Sequence, residues 1–97
     1  MPTVAIKPFL RIQEIIGKPL LEMDVAEGTT VNELLMQLVE AYGPEFEREL
    51  FDSEKGGIKS SYAILINGKI STQFPEGLYI SVKDSDIISI MIILAGG

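Results

Sequence analysis

The last twelve residues, 86–97, constrain the fold more than any other stretch of this 97-residue chain. Residues 87–94 are apolar except for one serine, and the sequence closes with Ala95, Gly96 and Gly97. The run is too short for a membrane-spanning helix, which needs about 20 apolar residues. Its β-branched side chains, placed after a polar turn, predict a strand that is buried on both faces. Because the glycines offer no side chain to pack, we expect the last three residues to form a flexible tail that carries a carboxylate out of the domain.

The composition limits the chemistry that the side chains can perform. The chain has no cysteine, which excludes thiol nucleophiles and cysteine-based metal sites, and no histidine, the commonest general base. Asp84 and Asp86 lie in one turn, but without a third ligand they are better explained as turn residues than as a metal site. We therefore expect no bound metal or cofactor and no catalytic side chains.

Length and charge restrict the class of protein further. The length suits a single domain spanning residues 1–97. Eight basic against 14 acidic residues give a net charge of −6, which argues against nucleic-acid binding. The charge suits a partner with a basic docking surface, and equally suits solubility alone. With no signal-peptide pattern, no cysteine and no spanning segment, we expect a cytoplasmic protein that does not bind membranes.

The first quarter of the chain predicts two antiparallel strands. Residues 3–9 form the first strand, in which Pro8 cannot donate to a ladder and so requires an edge or bulge position. A helical turn over 10–16 precedes a second strand at 20–25. Apolar and acidic residues alternate in this second strand, which predicts one buried face made of Leu21, Met23 and Val25.

The clearest helix signal follows at residues 30–42. Thr30 and Glu33 fit a capping box, and Gly43 with Pro44 marks the end of the helix. A short helical segment over 44–51 is expected next. The apolar residues at helical spacing form one stripe, which predicts that the helix packs across one face of a sheet: Val31, Leu34, Leu35, Leu38, Val39 and Tyr42.

The second half of the chain completes a mixed sheet. Residues 62–66 predict a strand, and Asn67 with Gly68 is a strong hairpin-turn signal leading into 69–71. The segment 74–82 fits either a short strand or a packed loop. The final apolar strand should lie centrally and parallel to the first, and the helix should make the crossover on the covered face of the sheet. This is an α+β roll of the β-grasp, or ubiquitin-like, type.

Three stretches of the sequence carry a family likeness: residues 9–17 after the first strand, 27–35 at the start of the helix, and 83–88 followed by 94–97 at the end of the chain. They resemble the MoaD/ThiS-like sulfur carriers, most closely the small subunit of molybdopterin synthase. Together the likeness spans nearly the whole chain.

The resemblance implies a function for the carboxyl terminus. An ATP-using enzyme of the ubiquitin-activating type would adenylate the Gly97 carboxylate, and a sulfur donor would convert it to a thiocarboxylate. A protein that resembles the molybdopterin synthase large subunit would then use the sulfur on a pterin precursor. Ala95 and Gly96 would thread into these partners. The residues that the resemblance assigns to partner binding are Phe9, Ile70, Met91 and Leu94.

The sequence departs from the family pattern at three places. Residues 92–94 replace a proline-containing segment, so the strand is expected to stay in the sheet longer. Gln13 replaces a common arginine, whose ionic contact is then either missing or made by Arg11. Ser85 stands where a turn glycine is usual, at a modest backbone cost if φ is positive.

Several alternative functions would use the same C-terminal residues. The carrier could serve another acceptor, such as thiazole, an amino acid or tRNA, or the chain could be a ubiquitin-like modifier joined through Gly97 to a lysine. A different class is a β-grasp binding or adaptor module with no terminal chemistry. An autonomous enzyme is the least favoured reading.

Overall fold

The last strand lies at the centre of the sheet, as the sequence predicts. The computed structural model describes residues 1–93. Their strands form one mixed sheet in the order β2-β1-β5-β3-β4. The strands are β1 Thr3–Pro8, β2 Leu21–Asp24, β3 Tyr62–Ile66, β4 Lys69–Ile70 and β5 Ile87–Ile92. The helices are α1 Leu10–Ile16, α2 Val31–Tyr42 and α3 Pro44–Leu50. The predicted α+β roll of the β-grasp type is confirmed.

The two central strands run in the same direction. β1 pairs parallel with β5 from Ala5↔Ile87 to Pro8↔Ile90, whereas β2 and β3 pair antiparallel with β1 and β5. Parallel neighbours need a long crossover, and here it contains α1, β2, α2, α3, β3 and β4. As a result β1 and β5 finish at the same end of the sheet, termed here the carboxyl end.

Pro8 occupies a position where no donor is needed. The last β1–β2 pair is Ile6↔Leu21, so Pro8 lies beyond the end of β2. The Ala5 N–H donates to the Asp86 carbonyl on the β5 side. Donors alternate along a strand, so the nitrogen of Pro8 is directed to the vacant β2 side. The predicted edge position is confirmed within an otherwise central strand.

The three helices cover a single face of the sheet. The even-numbered side chains of β1, β3 and β5 share one core with the buried residues of all three helices. Val31, Leu34, Leu35 and Leu38 of α2 are fully buried there, which confirms the apolar stripe. The Thr30–Glu33 capping box begins α2, and Gly43 ends it with φ +81°. No helix among residues 1–93 is both long and apolar enough to cross a membrane.

The prediction that the last strand is buried on both faces holds in its middle, where Ser89 is buried on the second face, and is wrong towards its ends. Ile88 and Ile90 are completely buried, but Ile87 is 44% exposed and Met91 is partly exposed. Successive side chains of a strand point to opposite faces. Since the helices pack on one face only, the odd-numbered side chains of β5 lie on the other, termed here the open face.

The connections follow the predicted pattern. The antiparallel pair β1–β2 is joined through α1, Leu10–Ile16, the helical turn expected over residues 10–16. The segment 74–82, which fitted a strand or a loop, is a packed loop with a 3₁₀ turn at Gly77–Tyr79 and one isolated bridge, Thr30↔Ser81. The backbone at Gly68 has φ +87° beside Asn67 at +52°, as the predicted hairpin turn requires.

We expect Thr30→Ala to lower the free energy of unfolding by about 1 kcal/mol, because it removes an N-cap. The Thr30 hydroxyl accepts the Glu33 N–H at 3.1 Å, and the Glu33 carboxylate accepts the Thr30 N–H at 2.9 Å. Urea denaturation measures the change. Thr72→Ala, at an exposed threonine in the turn after β4, is the control. Equal losses for the two variants would contradict a capping role for Thr30.

Candidate functional site

The open face carries an apolar area near the carboxyl end. Residues that pair across the sheet lie on the same face, so the register brings Met91 beside Ala63 and Ile70 beside Leu65. Met91 belongs to the row nearest the carboxyl end, and Ile70 to the next row. Ala63 is largely buried, while Leu65, Ile70 and Met91 are partly exposed. This apolar area is termed here the apolar patch.

Phe9 adjoins the apolar patch at the carboxyl end. It follows Pro8, the partner of Ile90, and its backbone is still extended at φ −130° and ψ 148°. The Lys7 Nζ lies 5.8 Å from the centroid of the Phe9 ring. The structure therefore places Phe9, Ile70 and Met91 partly exposed on or beside the open face, outside the helix-covered core. Their role in partner binding stays a prediction.

The sequence analysis missed two members of the patch, Ala63 and Leu65. Both lie on β3, whose apolar run shows no alternation between its faces. A usable signal was the Asn67-Gly68 turn. A two-residue hairpin turn fixes the register and so places Leu65 opposite Ile70.

Leu94, Ala95, Gly96 and Gly97 lie outside the described residues. The last described backbone contact before them is the Ile93 N–H, which donates to the Ser61 carbonyl at 2.7 Å. Strand-like bonding thus continues one residue past Ile92, in keeping with the expectation that the segment stays in the sheet longer.

Tyr62, the first residue of β3, follows Ser61 and is held in place by a side-chain hydrogen bond. Tyr62 pairs with Ile92, and its side chain is 6% exposed. Its hydroxyl donates to Glu49 Oε2 on α3 at 2.5 Å. Burial, together with this hydrogen bond to a carboxylate, raises the pKa of Tyr62 well above its ordinary value of 10.0. The Tyr62–Glu49 bond ties α3 to the carboxyl end of the sheet.

The two aspartates before β5 are turn residues, as the sequence analysis favoured. Asp84 Oδ1 accepts the Thr3 N–H at 2.8 Å, and Asp86 Oδ2 accepts the Lys83 N–H at 2.7 Å. Asp86 Oδ1 also accepts from the Asn67 side chain at 2.9 Å. Ser85 between the aspartates has φ +72°, the strained conformation anticipated for a residue in place of glycine. Within residues 1–93, no three acidic, histidine or cysteine side chains are grouped to hold a metal ion.

Arg11, two residues before Gln13, makes an ion pair on the surface. Arg11 Nη2 lies 2.9 Å from Glu45 Oε2, which joins α1 to α3. Both side chains are about half exposed, so the pair contributes little to stability.

A cavity of about 400 Å³ lies beside β3. Apolar residues including Ile58, Ile64 and Leu78 line it, together with Lys59 and several hydroxyl groups. None of its described lining residues carries a carboxylate.

Charge divides the open face. At the β2 margin Glu22 and Asp24 are exposed, opposite Ala5 and Thr3. At the β3–β4–β5 side the surface is apolar. A partner that covers the open face therefore fits best if it presents apolar residues beside a basic margin.

Comparisons with known proteins agree with this fold. The model of the ThiS family matches residues 7–97. A protein of Archaeoglobus fulgidus, named as a candidate sulfur carrier protein, is 34% identical over 88 residues, which cover 91% of this chain and 96% of the relative. The solution structure of small archaeal modifier protein 1 from Methanosarcina acetivorans has a TM-score of 0.80 and 31% identity, covering 100% of this chain and 98% of that chain.

A more distant structure shares the fold alone. A Pyrococcus furiosus protein, named as a candidate molybdopterin converting factor subunit 1, has a TM-score of 0.73 at 19% identity. The alignment covers 97% of this chain and 100% of that chain.

We expect Tyr62→Phe to lower the free energy of unfolding by about 1 kcal/mol at neutral pH, because the hydrogen bond to Glu49 is lost. The folded-state pKa of Tyr62 lies above its unfolded value of 10.0. Its stabilising contribution is therefore complete below pH 10.0 and declines as the pH rises above it. Wild type and variant should converge in alkali.

Urea denaturation at a series of pH values measures this difference. Tyr79→Phe is the matched control, since the Tyr79 side chain is 71% exposed. A difference between wild type and Tyr62→Phe that stays constant through alkaline pH would contradict the assigned role of the hydroxyl.

Proposed function

The chain belongs to the ThiS family of ubiquitin-like sulfur carriers and modifiers, and on that premise we propose that it carries sulfur as a thiocarboxylate on Gly97. One observation supports this most. β5 is central, parallel to β1, and delivers the chain to the carboxyl end of the sheet beside the apolar patch. Because β5 is hydrogen-bonded to β1 and to β3, the backbone position at which it ends is fixed.

The proposed chemistry needs no catalytic side chain from this protein. A carboxylate oxygen of Gly97 attacks the α-phosphorus of ATP in the active site of an adenylating enzyme, and pyrophosphate leaves. Hydrosulfide from a sulfide source then attacks the acyl carbon and displaces AMP, and loss of the sulfur-bound proton gives the thiocarboxylate. A terminal glycine suits this attack because no Cβ stands beside the reacting carbon.

The first acceptor that we propose is a pterin precursor in molybdopterin synthesis. A protein resembling the molybdopterin synthase large subunit would hold the pterin and receive the tail through Ala95 and Gly96. Leu94, Phe9, Ile70 and Met91 would form the contact around the tail. Under this proposal the chain holds no cofactor, and ATP is consumed by the activating partner.

A second candidate is a ubiquitin-like protein modifier. It is supported by the 31% identity, over the full length, to a protein named small archaeal modifier protein 1. Activation would be the same, but a lysine amine would attack the activated Gly97 carbonyl and form an isopeptide bond. Carrier and modifier differ only in the group that attacks the activated carbonyl.

The deciding experiment is intact mass spectrometry after incubation with ATP, a sulfide source and an adenylating enzyme of the ubiquitin-activating type. We expect a gain equal to the mass difference between sulfur and oxygen, because one carboxylate oxygen is replaced. Deleting Gly97, or adding residues after it, should abolish the gain. An unchanged mass with a demonstrably bound enzyme would overturn the sulfur proposal, and lysine-linked conjugates would support the modifier instead.

We expect Met91→Glu to raise the KM of the adenylating enzyme for this chain at least about tenfold, because it places a charge in the apolar patch. Steady-state pyrophosphate release measures the KM. Ile87→Glu is the matched control, since Ile87 is 44% exposed on the same face but lies at the opposite end of β5. Equal effects of the two variants would argue against docking at the carboxyl end.

A further inference from the structure

Leu10 adopts a backbone conformation that leucine rarely takes. Its φ is +48°, in the left-handed region where Cβ crowds the backbone. Only two other non-glycine residues among the described 1–93 have positive φ, Asn67 and Ser85. Both are polar residues in turns, where such conformations are tolerated. Leucine has no polar group to stabilise this conformation locally.

Packing does not explain the leucine either. The Leu10 side chain is 66% exposed, so it adds little to the core. The α1 residues that do enter the core are Ile12 and Ile16. For folding alone, glycine or asparagine would suit position 10 better. A strained residue that the fold does not require points to a function.

The position of Leu10 suggests which function. Leu10 follows Phe9 directly and lies where β1 turns into α1, at the carboxyl end of the sheet. Ile93, at the same end, is also 44% exposed. Leu10 and Ile93 thus add exposed apolar surface beyond the apolar patch, on the side where the last described strand ends.

The length of the remaining chain requires a partner to approach this end closely. Four residues, 94–97, follow Ile93. Even fully extended they reach at most about 14 Å at 3.3–3.6 Å per residue. A protein that encloses the Gly97 carboxylate must therefore bring its own surface against the carboxyl end of the sheet, where Leu10 is exposed.

We propose that Leu10 is a docking anchor, whose side chain enters an apolar pocket of the adenylating enzyme that activates Gly97. This rests on the proposed function and holds for carrier and modifier alike, because both require the same activation. Leu10 acts in binding and not in the chemical step. Its strained conformation presents an exposed apolar side chain at the carboxyl end of the sheet.

The test is Leu10→Asn in the full chain, compared with wild type in steady-state pyrophosphate release and in urea denaturation. Asparagine is close to leucine in size and tolerates the left-handed conformation. We expect the KM of the adenylating enzyme for the chain to rise at least about tenfold with kcat unchanged. Stability against urea should stay the same or increase.

Two control variants isolate the side chain from the strain. Ser85→Asn places asparagine at the other strained, non-hairpin position, φ +72° at the far end of β5, and should leave the KM unchanged. Met36→Gln removes an apolar side chain of 41% exposure from α2, in the layer on the opposite face, and should also leave the KM unchanged.

Each other outcome overturns the inference in a recognisable way. A wild-type KM for Leu10→Asn would remove Leu10 from the docking surface and leave the proposed function standing. Reduced stability of Leu10→Asn would assign the leucine to the fold. An equal KM rise for Met36→Gln would assign the effect to general apolar surface. Wild-type chain that binds the enzyme but is never adenylated would overturn the proposed function as well.

Discussion

The parallel pairing of β5 with β1 is the constraint on which the rest of the structure depends. It begins at the Ala5 N–H, which donates to the Asp86 carbonyl at 2.9 Å, and continues to Pro8↔Ile90. Because parallel neighbours cannot be joined by a tight turn, every other element belongs to the connection between them. The same pairing brings the ends of both strands to one end of the sheet, so Phe9 and Leu10, which begin this connection, lie at the end where β5 stops.

The helices determine which surface is left for partners. All three bury their apolar residues against the even-numbered side chains of the sheet, and no helix within residues 1–93 covers the open face. The open face is asymmetric, because its β2 margin is acidic whereas its apolar patch lies on β3, β4 and β5. The apolar patch adjoins the carboxyl end. The two margins of the open face therefore differ in chemistry.

Stability and docking place different demands on the carboxyl end. Tyr62, bonded to Glu49, and the Ile93–Ser61 backbone contact hold the end of β5 in place with buried or regular structure. Leu10 is strained and largely exposed, so it fits a binding role better than a folding role. Because the end of β5 is already held in place, a partner that binds beside it loses less free energy to ordering this part of the chain.

The sequence by itself determined the local elements and the order in which they pack. The capping box at Thr30, the apolar stripe of α2 and the Asn67-Gly68 turn act within a few residues, and their signals are legible without the fold. Only the tertiary structure decided that Ile87 is exposed and Met91 partly exposed on an open face, because the sequence of an apolar strand is the same whether one face or both are covered. It alone also showed the positive φ of Leu10, since that conformation arises where β1, held by β5, must turn into a helix packed on the core.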